Sequence, residues 1–212
     1  MKEIVIKTYN INELKTINEK AYKKVLERYT QFLIEDRFSF ASEDIITTLY
    51  NKYKLDIDEK NIDYSISYCQ GDGFCFTEKN ILSYTRLKNK ENLNVFEKWI
   101  INNLSDTEIK MLLDYLNSGY NLEIKKTSYH YSHPHTCMID YEYFYSSDDE
   151  KYIESMNNFI DELTRKLFNS VYVVICEEIE DMLYKYYDVD DDDVINNLDI
   201  NEYYFDVNGN LY

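Results

Sequence analysis

The chain's rarest residues gather in two short stretches. Gln70-Gly71-Asp72-Gly73 holds two of the four glycines, and residues 130–135 hold all three histidines and the only proline. A carboxylate in one turn and imidazoles in another can work as a general acid–base pair when both converge on one substrate atom. Asp72, His130, His133 and His135 are the candidates for that chemistry. No G-x-S-x-G elbow, P-loop, H-E-x-x-H pair or paired-carboxylate signature accompanies them. The conformational alternative is simpler: Gly71 and Gly73 supply positive φ, and Asp72 bonds its own backbone to cap a structural turn of Gln70–Gly73.

Zinc chemistry is the second possibility. Cys69, Cys75, His130, His133, His135 and Cys137 are residue types that a tetrahedral zinc site uses. Five residues separate Cys69 from Cys75, against the usual two to four, and the two would project differently around a tight turn. A hairpin with surface histidines fits better. The expectation is no metal and no other cofactor.

Charge points to a third kind of site. Residues 1–136 carry 19 Lys+Arg against 20 Asp+Glu, whereas residues 137–212 carry 4 against 20. Glu177, Glu178, Glu180, Asp181, Asp188, Asp190, Asp191, Asp192 and Asp193 form the densest part of that surplus. Carboxylates at such spacing resemble backbone phosphates, whose charges recur every ~1.7 Å of duplex axis, and suit a basic groove on a partner. Direct contact with nucleic acid is excluded by repulsion. A solvated face that keeps the protein soluble is the plainer reading. Calcium binding by Asp188–Asp193 is disfavoured, because an EF-hand loop needs a central Gly and a closing Glu that are absent here.

These residues need elements to position them. Residues 3–9 alternate as a short opening strand, Ile4 and Ile6 against Val5 and Lys7, and Asn10 with Glu13 predicts a capped helix over 11–34 with Leu14, Ile17, Tyr22, Val25, Tyr29 and Leu33 inward. A second helix starts at Ser42 with Ile45, Leu49 and Tyr53 inward. Strict alternation over 61–68 predicts a strand, which turns at 70–73 and returns over Phe74–Phe76. Helices follow near 92–103 and 106–117, then an antiparallel pair over 122–131 and 136–145 with the histidine turn between them. Ser147 with Glu150 predicts the start of a long helix to about 186, carrying Ile153, Met156, Ile160, Leu163, Leu167, Val171 and Val174. The β-branched run Val171–Cys176 is where it would be interrupted. A short helix near 191–198 and a terminal hairpin over 203–212 complete an α+β chain, expected as a single compact domain over 1–212 with a small antiparallel sheet packed against helices.

The remaining composition narrows the class. Hydrophobic residues make up 44% of the chain and aromatics 16%, with 23 Tyr, which is too apolar for a solvating acidic tail. Tyr suits half-buried contact faces, although a low-GC coding bias explains its abundance equally well. Four scattered cysteines do not make a disulfide framework, and neither a signal peptide nor a membrane span is visible, so a cytoplasmic, reducing setting is expected.

The stretch Ser67-Tyr68-Cys69-Gln70-Gly71-Asp72-Gly73-Phe74-Cys75-Phe76 resembles the S-Q-G-D-G-A-S-F-type motif of a group of small phage and prophage proteins. Tyr129-His130-Tyr131-Ser132-His133 and the acidic, Tyr-rich end at 203–212 resemble that group's downstream features. Cys69 and Cys75 stand where the pattern has Ser. The resemblance implies a mobile-element gene product and no particular activity. Joined to the charge, it gives the expected function: a non-enzymatic protein that occupies the basic groove of a nucleic-acid-handling host defence protein, as an anti-CRISPR or anti-restriction inhibitor does. The alternative is a small metal-dependent or acid–base enzyme built on Asp72 and the His130–His135 turn.

Overall fold

A computed structural model describes residues 7–66 and 72–212. Its contacts group the chain into two units where one domain is expected from sequence: Met1–Ala41 with Tyr184–Tyr212, and Ser42–Leu183. The class is α+β, as the sequence predicts, with two small antiparallel sheets among the described residues.

In the first unit, Asn10 and Glu13 open α1 (Ile11–Ile17) with reciprocal hydrogen bonds, Glu13 N–H to Asn10 Oδ1 at 2.8 Å and Asn10 N–H to Glu13 Oε2 at 3.1 Å. The single helix predicted over 11–34 is broken at Asn18, whose backbone is extended. Asn18 caps α2 (Glu19–Ser39) by accepting from Ala21 N–H, and its amide donates to Val207 O at 2.9 Å. Two competing bonds for an Asn side chain outweigh one more helical residue. The break leaves Ile17 exposed while Leu14, Tyr22, Val25, Tyr29 and Leu33 form a core with Val194 and Leu198 of α9 (Asp191–Ile200) and with Phe205. Phe205 bridges to Tyr9 and to Leu211, closing the predicted terminal turn. Residues 3–6 of the predicted opening strand lie outside the described residues. Gly209 sits at φ +79° with its Cα turned onto α2, and a Cβ there would lie 3.0 Å from Val25 Cγ2 and 3.1 Å from Ala21 O.

The second unit begins with α3 (Ala41–Tyr53), which buries Ile45, Leu49 and Tyr53 as predicted. β1 (Ile62–Ser65) pairs antiparallel with β2 (Gly73–Phe76), placing Asp63 opposite Cys75 and Tyr64 opposite Phe74. Ser67, Tyr68, Cys69, Gln70 and Gly71 of the predicted strand and turn lie outside the described residues. β3 (Leu122–Lys126) pairs antiparallel with β4 (Cys137–Tyr141), with Lys126 opposite Cys137. A Glu78–Ile124 bridge links the two hairpins. Both strands of the second pair are shorter than predicted, because Pro134 starts a 3₁₀ turn over Pro134–Thr136 and draws residues 127–136 into a loop.

Three helices lie between the hairpins: α4 (Tyr84–Asn89), which periodicity does not reveal, α5 (Val95–Asn103) and α6 (Asp106–Asn117). Glu97 holds the first two together. It is fully buried and accepts from Ser83 N–H, Asn94 N–H and Arg86 Nε at 2.7–3.0 Å. Ser105 and Glu108 form the predicted capping box of α6.

The long helix is one path with a defect. α7 (Glu150–Leu167) is capped by Asp149, not by Ser147 as predicted, and buries Met156, Ile160, Leu163 and Leu167. A π-helical turn at Phe168–Tyr172 follows, then α8 (Val173–Tyr184). One extra residue in a turn rotates everything after it by about 100°. The predicted stripe position Val174 is therefore 51% exposed, and Tyr172, Ile175, Cys176, Ile179 and Leu183 face the core.

The charge boundary at residue 136 falls at the start of β4 and is no structural boundary. By sequence the first unit carries 9 Lys+Arg against 14 Asp+Glu and the second 14 against 26. Both units are acidic.

Candidate functional site

The two turns rich in unusual residues meet in the second unit. Gly73 stands at φ +148°, and a Cβ there would lie 2.6 Å from Ser132 O and 3.4 Å from both His133 Cα and Glu180 Oε2. Absence of a side chain at Gly73 is what lets the histidine loop approach β2. Ser132 is tied to the first hairpin as well, its hydroxyl donating to Asp63 Oδ1 at 2.8 Å. Asp72, 6% exposed, accepts from Ser65 Oγ at 3.4 Å.

Asp72 and the histidine loop are therefore neighbours, but not as an acid–base dyad. Burial and the adjacent His135 push the His133 imidazole below its ordinary pKa, the reverse of what a carboxylate partner would do. The His133 ring lies 4.9 Å from His135, and its Nδ1 accepts from His135 N–H at 3.2 Å. His130 is exposed beside Tyr131. Glu180 of α8 lies within electrostatic reach of Asp72 and is half-buried, its pKa raised by burial and then by Asp181, Asp72 and Glu177. Such a group holds a proton further toward neutral pH than an ordinary carboxylate. Glu180 is prominent in sequence only as part of an acidic run. Its pairing with Asp72 depends on the rotation imposed by the π turn and has no signal in the linear chain.

The carboxylates predicted as one contact surface fall in different units. Glu177, Glu178 and Asp181 are exposed on α8. Glu178 forms an ion pair with Lys52 and accepts from the Tyr53 hydroxyl. In the first unit Asp188, Asp190, Asp191 and Asp192 are exposed. Asp190 caps α9, accepting from Asp193 N–H at 2.8 Å, and Asp193 pairs with Arg37 at 3.2 Å. Arg37 also donates to Asp188 O at 3.1 Å, which fixes the chain before α9.

Among the described residues no three His, Cys, Asp or Glu side chains converge as a metal-holding group. Of the residues weighed for zinc, Cys69 lies outside the described residues, and Cys75 and Cys137 are free, buried thiols. No helix among the described residues is long and apolar enough to cross a membrane. A cleft of about 1060 Å³ opens between the hairpins, with Asp63, Cys75, Phe76, Lys125, Lys126 and Tyr129 on its walls.

Comparison with known proteins adds a family. No curated protein and no solved structure matches the chain. A family model described as "Domain of unknown function (DUF8835)" matches residues 13–184. That range takes in Asp72, the histidine loop and Glu177–Asp181, and ends before Asp188. The match spans well over half of the sequence, and the chain belongs to the DUF8835 family.

Proposed function

We propose that this is a phage- or prophage-encoded, cytoplasmic acidic binding protein that inhibits a nucleic-acid-handling host defence protein, of the anti-CRISPR or anti-restriction kind, by occupying its basic groove. The observation that carries this reading is the surplus of exposed carboxylates that folding does not use. Among the described residues, ion pairs engage Glu178 and Asp193 and the α9 cap engages Asp190, while Glu177, Asp181, Asp188, Asp191 and Asp192 are exposed without such a role. One carboxylate suffices to cap α9, and first-turn carboxylates gain only about 0.3–1 kcal/mol each from the helix dipole. Mutual repulsion offsets that gain, so the cluster is better explained by a cationic partner than by stability.

Each acidic group is reversed separately, because the two belong to different units. Asp190→Lys with Asp191→Lys and Asp192→Lys forms one variant, and Glu177→Lys with Asp181→Lys the other. Cleavage of target DNA by purified CRISPR effectors and restriction endonucleases is the readout. Loss of inhibition in either variant, with circular dichroism unchanged, supports the reading. Full inhibition by both variants overturns it.

A second reading rests on a separate observation, the close approach of Asp72, Glu180 and the histidine loop at Gly73. A half-buried carboxylate whose pKa is raised and that faces a second carboxylate is a candidate proton donor to a leaving group. Hydrolysis of ester, phosphoester and glycoside substrates that disappears in Asp72→Asn and in Glu180→Gln would favour this enzyme. No turnover, or turnover unchanged in both variants, would remove it.

A further inference from the structure

The two hairpins meet through paired positions. Asp63 stands opposite Cys75 in the first, and Lys126 opposite Cys137 in the second. An ion pair between Lys126 and Asp63 ties these two cross-strand pairs together. Beside it the Cys75 and Cys137 thiols are near enough that each is the other's leading electrostatic influence. Both sulfurs are reduced and buried.

Tyr172, aimed inward by the π turn, holds the same place from behind. Its hydroxyl accepts from Phe76 N–H at 3.2 Å and donates to Phe76 O at 3.0 Å, and it lies within electrostatic reach of the Cys137 and Cys176 thiols. The thiols are not equivalent. Hydrogen bonds from Cys75, Tyr172 and Thr136, together with the Lys126 ammonium, outweigh burial and hold Cys137 down at about 7. Cys75, as the donor, is pushed up, and burial pushes Cys176 well up. A thiolate with a second thiol in contact is the arrangement of an oxidisable dithiol. Cys75 lines the cleft between the hairpins, so the cleft meets the pair on its Cys75 side.

We propose that Cys75 and Cys137 form a peroxide-oxidisable dithiol that closes to a disulfide between β2 and β4. The Cys137 thiolate attacks the distal oxygen of a hydroperoxide; the O–O bond breaks, the sulfur becomes a sulfenic acid, and the leaving alkoxide takes up a proton to depart as alcohol. Cys75 then gives up its proton and attacks the Cys137 sulfur, displacing the hydroxyl as water. Two thiols lose two electrons, and the hydroperoxide is reduced to alcohol and water. Asp63 and Lys126 act as positioning residues that hold the hairpins in register for the S–S contact.

The test is a non-reducing peptide map of the full chain after treatment with hydrogen peroxide under native conditions. The expected product is a Cys75–Cys137 cross-linked peptide, with a protein mass loss of about 2 Da that dithiothreitol reverses, and Cys176 still alkylatable after unfolding. In Cys75→Ser, oxidation should stop at a Cys137 sulfenic acid that dimedone traps. If that variant does not fold, the wild-type map decides alone. A cross-link involving Cys69 or Cys176, or recovery of Cys75 and Cys137 both as free thiols, overturns the proposal.

Discussion

Gly73 is the residue on which the meeting of the two turns depends. At φ +148° an L side chain is strained, and its Cβ would sit 2.6 Å from a backbone oxygen that cannot rotate away. Gly73→Ala should destabilise the protein by about 2–4 kcal/mol, measured by urea unfolding, and by more than Gly119→Ala, which at φ +90° meets backbone strain but no neighbouring atom. His133 sets a pH dependence of known sign. Its folded-state pKa is depressed by burial and by His135, so the folded state binds fewer protons than the unfolded chain. The stability this contributes is present above the ordinary imidazole value of about 6.5 and is lost as pH falls below it toward the depressed value. Thermal melts at neutral and mildly acidic pH should show that loss, and His133→Gln should reduce it. Glu180 has the opposite sign: its raised pKa makes the ionised form a burden near neutrality, so Glu180→Gln should raise Tm at pH 7 and lose that advantage in acid.

At the scale of elements, the π turn is the feature that orients the chemistry. It sends Tyr172 into the core, where its hydroxyl serves both the N–H and the C=O of Phe76. Tyr172→Phe should cost about 1–3 kcal/mol by chemical denaturation, since buried backbone groups lose their partner. Glu97→Ala should cost at least as much, about 3–5 kcal/mol, because it strands Arg86 and two backbone N–H groups. Much of this layer is legible in sequence. The capping boxes at Asn10 and Ser105, the alternation that sets β1, and the stripe through Leu167 all follow local rules. What escapes local rules is competition. Asn18 can propagate a helix or cap the next one, and its bond to Val207 decides the matter from far along the chain. The run Val171–Cys176 signals a fault in the long helix, but not that the fault adds one residue and rotates α8. That rotation turns Val174 outward and moves Glu180 from the imagined acidic surface to the side of Asp72. The pairings of Cys75 with Cys137 and of Asp63 with Lys126 arise where two separately legible hairpins meet, and nothing in either hairpin's own pattern encodes them.

At the scale of the whole molecule, the net charge of −17 is shared by two acidic units, not concentrated at one end as the linear chain suggests. A partner with an extended basic channel could engage either unit. Attraction between exposed charges is screened within about 10 Å at 0.1 M salt, so binding built on them must depend strongly on ionic strength. The most direct measurement is a titration of the protein against DNA cleavage by purified CRISPR effectors and restriction endonucleases at about 50 and 200 mM salt. The account predicts that at least one enzyme is inhibited, that the half-inhibiting concentration rises by roughly 10-fold or more with the added salt, and that inhibition disappears on reversing either Asp190, Asp191 and Asp192 or Glu177 and Asp181 to Lys. Inhibition indifferent to both salt and charge reversal, or none against any enzyme of either kind, would contradict it.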